Sequence, residues 1–173
     1  MKQLFLVVVG VAVLGVIAYG GVYYMQHRQS SKSVMHSKSA SQLTPKLRVV
    51  NVLSEDLFAD AHIKGSINIP FEHFEEVIKN WDKDTTVVVY CANYACSASG
   101  AAAQMLRKAG FAKAFAYEGG TAEWYQLHQS DPSYELEGPA KQDYLTVAVK
   151  RPQQHGDFEI ITAEKLKGLL QNQ

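Results

Sequence analysis

The chain has 173 residues, 47% of them hydrophobic, which is enough for one ordinary domain with a core and little more. Its formal net charge is zero, but every Asp and Glu lies at or beyond Glu55, whereas Lys2, Arg28, Lys32, Lys38, Lys46 and Arg48 all precede it. The part from Glu55 onward is therefore mildly acidic, which argues against a nucleic-acid-binding surface, and two cysteines are too few for the disulfide framework of a small secreted fold.

Leu4 to Met25, "LFLVVVGVAVLGVIAYGGVYYM", is 22 residues without a charge. At about 1.5 Å per residue, a helix of this length crosses a bilayer core of about 30 Å. Tyr19, Tyr23 and Tyr24 stand towards its end, where an interfacial aromatic belt belongs. The alternative is a cleaved signal peptide ending at Ala18-Tyr19-Gly20. An apolar run of roughly 7–15 residues is usual there, and the greater length here favours a single-pass anchor over residues 1–26. Arg28, Lys32 and Lys38 outweigh Lys2 and the terminal amine only slightly. The positive-inside rule thus leans to a cytoplasmic placement of the chain beyond Met25, with the periplasmic or extracytoplasmic side as the alternative. Residues 27–45, rich in Ser, Gln and Lys, read as a flexible tether that Pro45 ends.

From Leu47 the pattern is α/β. "LRVVNVL" reads as a strand, and Ser54 is placed to N-cap a short helix over "EDLFADA". "SINIP" is a short extended piece ended by Pro70. In "FEHFEEVIKNW", Phe71, Phe74, Val77, Ile78 and Trp81 recur at helical spacing. "TTVVVY" is a continuous apolar run, as in a strand buried on both faces. "ASGAAAQMLRKAG" reads as a helix stopped by Gly110, "KAFAYEGG" as a strand, and "TAEWYQLH" as a helix N-capped by Thr121. Strands alternating with helices predict a parallel sheet covered on both sides. Beyond His128, "SDPSYELEGPAKQ" reads as loop and "DYLTVAV" as a strand. "FEIITAEKLKGLL" reads as a strand and a helix, with Thr162 as N-cap and Leu166, Leu169 and Leu170 on one face. The expected division is a domain over 46–130 and a C-terminal extension over 131–173.

Both cysteines fall in "VVVYCANYACSASGAAAQMLRKAGF". Cys91 directly follows the buried run, so it is expected at the carboxyl end of a strand, where parallel α/β sheets bind ligands. The helix starting near Ala98 aims its N-terminus at the loop, and its exposed N–H groups and dipole favour an anion there. The same field favours a thiolate, the nucleophilic form. The competing reading of a strand-end cysteine is a buried structural one.

Three motifs, in order, make the chain from about Leu47 to Gln126 resemble a rhodanese domain. "DLFADAHIKGSINIP" is similar to that family's acidic helix followed by His-Ile-x-Gly-Ala-x-Asn-Ile-Pro, matched by His62, Ile63, Gly65, Asn68, Ile69 and Pro70, with Ser66 in place of Ala. "VVVYC" with "AAAQMLRKAGF" resembles the active-site strand, nucleophile and helix. "FAYEGGTAEWYQ" resembles the Gly-Gly-x-x-x-Trp after the next strand, through Gly119, Gly120 and Trp124. The resemblance implies a five-stranded, mostly parallel sheet with helices on both faces. It also implies sulfur transfer through a cysteine persulfide, from a small sulfur donor (thiosulfate or a persulfide) to a thiol acceptor. On that reading Cys91 is the nucleophile. Ala92, Asn93, Tyr94, Ala95, Ser97 and Ser99 form the substrate-binding loop, and the N–H groups of Ala92 to Ser97 cradle the outer sulfur. No cofactor and no metal are implied.

The departures from the family pattern are specific. The common loop is Cys-x-x-Gly-x-Arg-Ser; here the loop is two residues longer, contains no Arg, and carries Cys96. Arg is a natural clamp for the charged oxygens of thiosulfate, so its loss counts against that donor, and it also counts against the related phosphatases. Asn51-Val52-Leu53 stands where the family has Asp-x-Arg. Cys96 is either a resolving thiol that closes a disulfide on Cys91, an inert small residue under the loop, or half of a metal site. Two cysteines without further ligands make a poor zinc set. His62 is expected to be structural, bonding backbone near the loop, while His73, His128 and His155 are expected to be solvated. Three functions are compatible with this pattern: a membrane-tethered sulfurtransferase, a thiol–disulfide switch or reductase, and a non-catalytic protein-binding module. The family often opens with a strand and helix reading like "I-T-A-E-x-L-x-x-L-L", and here "IITAEKLKGLL" stands at the other end of the chain. Ile160–Leu170 is therefore expected to supply that element by permutation.

Overall fold

The computed structural model describes residues 46–148 and 157–172. The apolar run 4–25, the tether and His155 lie outside these residues. Among the described residues, no helix is long and apolar enough to cross a membrane.

The frame is a five-stranded parallel sheet in the order β3-β1-β4-β5-β7. Its strands are β1 (Leu47–Asn51), β3 (Ile67–Asn68), β4 (Thr86–Tyr90), β5 (Ala114–Tyr117) and β7 (Glu159–Ile160). The helices are α1 (Glu55–Asp60), α2 (Phe71–Ile78), α3 (Ala98–Lys108), α4 (Gly120–Ser130) and α5 (Ala163–Gln171). A separate antiparallel ribbon joins β2 (His62–Ile63) to β6 (Leu136–Glu137).

The period of two in β4 sorts the core into two layers. Val87, Val89 and then Cys91 point to a layer with Phe74 and Ile78 of α2 and Ala102, Ala103 and Leu106 of α3. Val88 and Tyr90 point to the opposite layer, with Trp124 of α4 and Leu166 of α5. Burial on both faces is why the run is apolar without alternation.

Several local readings need correction. Ser54 stands at the N-cap of α1 as expected, whereas Thr121 is not a cap. The Ser54 side chain makes no capping bond, and α4 begins one residue before Thr121, after Gly119. Thr162 does cap α5, accepting from the Lys165 N–H at 3.3 Å. Val77 is exposed, so α2 buries Phe74 and Ile78, with Phe71 and Trp81 packed at the edge. "DYLTVAV" is not a strand in its described part: Asp143–Leu145 is a 3-10 turn, with only Leu145 buried. "SDPSYELEGPAKQ" contains β6, fastened to β2 by His62–Glu137 and beside it by Lys64–Glu135. The segment Ile160–Leu170 lies in β7 and α5, where β7 extends the sheet beyond β5.

Candidate functional site

In a parallel sheet, a crevice opens where neighbouring strands send their connections to opposite sides. Here β1 leads towards β3 on one side, and β4 leads to β5 on the other. The carboxyl ends of β1 and β4 therefore frame the crevice, tied together by the Val52 N–H to the Tyr90 carbonyl at 3.0 Å. Cys91 is the first residue beyond β4 and is 0% exposed.

The Cys91 main chain is held from the far side by the start of α4. The Thr121 N–H and hydroxyl both donate to the Cys91 carbonyl, at 3.0 and 3.3 Å, and the Ala122 N–H donates to the Ala92 carbonyl at 2.9 Å. This approach is close enough that Gly120, at φ +63°, has no room for a Cβ: one there would strike the Cys91 carbonyl oxygen and the Ala92 peptide. Gly120 of the third motif thus fits the backbone at Cys91.

The Cys91 and Cys96 sulfurs are paired as a disulfide across the loop, with Cα atoms 6.4 Å apart. Cys91 Sγ lies 3.2 Å from the Cys96 carbonyl oxygen and 3.5 Å from the hydroxyl of Ser99, itself fully buried. Cys96 is half-buried against the same apolar layer. Asn93 shapes the loop: its side-chain oxygen accepts from the Ala95 N–H at 3.0 Å, and its carbonyl accepts from the Cys96 N–H at 2.9 Å. Two of the amides expected in the cradle are thus bonded to Asn93 within the loop. Ala95 and Ser97 are exposed, Ala92 is half-buried, and Ser97 precedes α3 without a side-chain capping bond.

Tyr94 reaches away from the loop. Its hydroxyl donates to Glu123 Oε1 at 2.8 Å, while the Tyr117 hydroxyl donates to Glu123 Oε2 at 2.9 Å. Burial, and then the charge of Glu123, pushes the Tyr117 phenol far above its ordinary value, so it stays a donor. Sequence reasoning misses Glu123, because an acid in a helix reads as a solvated side chain. A cavity of about 140 Å³ lies beside the loop, bordered by Asn93, Tyr94, Gly119, Ala122, Glu123 and Gln126.

Asn51, in the place of the family's Asp, is fully buried at the end of β1, and its side-chain oxygen accepts from the Leu53 N–H at 2.8 Å. A neutral amide therefore turns the chain here without an ion pair. His62 is structural and bonded to backbone as expected, but at Phe58 and not at the loop. Its Nδ1 meets the Phe58 carbonyl at 2.8 Å, and its ring stacks on Phe58. His73 is exposed, but His128 is half-buried and bonded to the Tyr134 carbonyl at 2.9 Å. Among the described residues, no group of three His, Cys, Asp or Glu side chains could hold a metal ion.

Residues 35–127, more than half of the chain, match the model of the rhodanese-like domain. The chain belongs to the rhodanese-like domain family. It is 33% identical over 79 residues to the uncharacterized protein YqhL of Bacillus subtilis (strain 168). That match takes in 46% of this chain and spans 61% of the length of that curated relative. Similar solved structures include the BH2092 protein from Bacillus halodurans, at 24% identity over 70% of this chain and 88% of that one, with a TM-score of 0.49. Thiosulfate sulfurtransferase from Pseudomonas aeruginosa is 28% identical over 53% of this chain and 17% of its own, with a TM-score of 0.45.

Proposed function

We propose that this rhodanese-like domain is a sulfurtransferase that passes sulfane sulfur through a persulfide on Cys91. The observation that carries the reading is the placement of Cys91 at the β1/β4 crevice, between the backbone clamp from α4 and the start of α3. The Cys91 thiolate attacks the outer sulfur of the donor, the donor's S–S bond breaks, and the rest of the donor leaves, as a thiolate from a persulfide or as sulfite from thiosulfate. An acceptor thiolate then attacks the outer sulfur of the persulfide and returns Cys91 as thiolate. The Ser99 hydroxyl, 3.5 Å from Sγ, is placed to donate to that charge. A persulfide is the favoured donor, because the loop from Ala92 to Ser99 contains no Arg to clamp thiosulfate. Residues 4–25 tether the domain to a membrane on this reading, with the cytoplasmic side favoured.

The pairing of Cys91 with Cys96 favours a second reading, a thiol–disulfide switch or reductase, and the two share a step. The Cys96 thiolate attacks Sγ of the Cys91 persulfide, hydrosulfide leaves, and the disulfide forms. One experiment tests the proposal. The reduced chain is treated with thiosulfate or with a small-molecule persulfide and its intact mass is measured. One added sulfur that maps to Cys91 is expected with the persulfide, and it should accumulate in Cys96→Ser. If neither donor adds sulfur to Cys91 in either protein, the sulfurtransferase reading fails. If Cys96→Ser turns over unchanged, the switch reading fails.

A further inference from the structure

With the disulfide closed, Cys91 is 0% exposed and the place beside its sulfur is filled by Cys96 Sγ. The outer sulfur of a persulfide bonds at about 2.05 Å and needs that same place. Loading therefore requires Cys96 to leave. The Cys96 carbonyl oxygen, 3.2 Å from Cys91 Sγ, makes the same demand, because it opposes negative charge on that sulfur. The loop thus has two arrangements: closed, with the disulfide, and open, for loading.

The contacts that favour the closed arrangement differ in kind. The Asn93 bonds to Ala95 and Cys96 are internal and travel with the loop. The Tyr94 hydroxyl instead binds Glu123 on α4, a separate element that also clamps the Cys91 carbonyl through Thr121. Tyr117, at the end of β5, holds the other oxygen of the same carboxylate. An opening that carries Tyr94 away from α4 would break this charge-assisted bond.

We propose that the Tyr94–Glu123 hydrogen bond is a latch that holds the loop in its disulfide-closed arrangement. It thereby sets how readily Cys96 resolves a Cys91 persulfide instead of leaving it for an external acceptor. The consequence for sulfur partition rests on the sulfurtransferase reading. In the resolving step the Cys96 thiolate attacks Cys91 Sγ, the bond from Sγ to the outer sulfur breaks, and hydrosulfide departs with the electron pair. The two cysteines are oxidised to the disulfide as the sulfane sulfur is reduced. An external dithiol, meeting the half-buried Cys96 before the enclosed Cys91, then reduces the pair by exchange and is itself left as a disulfide. Tyr94 and Glu123 are positioning residues in this scheme and act through the loop.

The test uses the full chain and the variants Tyr94→Phe and Glu123→Gln, equilibrated in dithiol–disulfide buffers. The disulfide form is read by intact mass as two hydrogens lighter. Each variant is expected to shift the equilibrium about tenfold towards the dithiol, or about 30 mV, and the double variant no further than either single one. For Tyr94→Phe, which leaves the Tyr117–Glu123 bond in place, the melting temperature of the oxidised form should fall, and that of the reduced form should not. Shifts below about twofold, shifts that add, equal melting losses in both forms, or no disulfide in any buffer would overturn the latch. Sulfur loading of Cys91 is measured separately. Its failure sinks the sulfurtransferase reading and leaves the disulfide equilibrium readable.

Discussion

Gly120→Ala strikes the backbone clamp on Cys91 without touching either sulfur. The residue sits at φ +63°, where a non-glycine residue costs on the order of 1–3 kcal/mol. The new Cβ would also collide with backbone atoms of Cys91 and Ala92, which have no rotamer by which to retreat. Together these costs come to about 2–4 kcal/mol, a sizeable share of a domain stability of about 5–15 kcal/mol. A melting temperature about 10 °C lower is expected. The Cys91 carbonyl must also move, and a misplacement near 1 Å at a reacting group is worth about 100-fold in rate. Two other glycines separate these effects. Gly110, at φ +93°, has nothing within 4 Å of its would-be Cβ, so Gly110→Ala should lower stability and leave sulfur loading unchanged. Gly168, inside α5, also has open space, so Gly168→Ala should stabilise by about 0.5–1 kcal/mol. Circular dichroism melts and single-turnover loading followed by mass spectrometry read both quantities. If Gly120→Ala behaves like Gly110→Ala in both assays, the clamp does not position Cys91.

Leu166 is fully buried in the Trp124 layer, so Leu166→Ala should cost about 2–5 kcal/mol in urea denaturation, against less than about 0.5 kcal/mol for Lys165→Ala at the exposed neighbour. Equal costs would show that α5 does not pack on the sheet. The hydrogen bonds from Ser133, aided by Lys167, hold the Asp131 carboxyl down to about 2 from 3.8. A lowered folded value contributes stability above 3.8 that is lost as the pH falls to about 2; urea midpoints of Asp131→Asn should therefore fall less steeply across that window, and an unchanged slope would refute the assignment. Burial pushes the Tyr90 phenol up to about 12, so its contribution is present below 10 and lost as the pH rises to about 12. Tyr90→Phe should flatten that alkaline limb, and a limb identical to that of the unsubstituted chain would count against it.

What was legible in the sequence were the features with period or length. The unbroken apolar run of β4 announced a strand buried on both sides, and the position of Cys91 comes from counting two residues beyond Val89. The helical spacing of Phe74 and Ile78 was equally plain. Two-residue strands carry no period, so β6 was hidden in a stretch that reads as loop. In "DYLTVAV" alternation misled: Leu145 finds the core, while the Gln126 amide holds the Leu145 carbonyl at 2.9 Å and favours a turn. Thr121 has the chemistry of a cap, but its hydroxyl is spent on the Cys91 carbonyl, a partner thirty residues away. Glu123 carried no local signal at all. Its role depends on Tyr94 and Tyr117, which only the tertiary fold brings to one carboxylate.

The pairing of β7 with β5 has a consequence for biosynthesis. Chains emerge from the ribosome N-terminus first, so β1, β4 and β5 are translated before the strand that borders them. Until residues 159–160 appear, β5 presents its Phe115 and Ala116 backbone as an open parallel edge, the kind of surface on which nascent chains associate. The two cysteines, five residues apart in one loop, precede that tail, whose Phe158 later packs on the apolar layer that also holds Cys91 and Cys96.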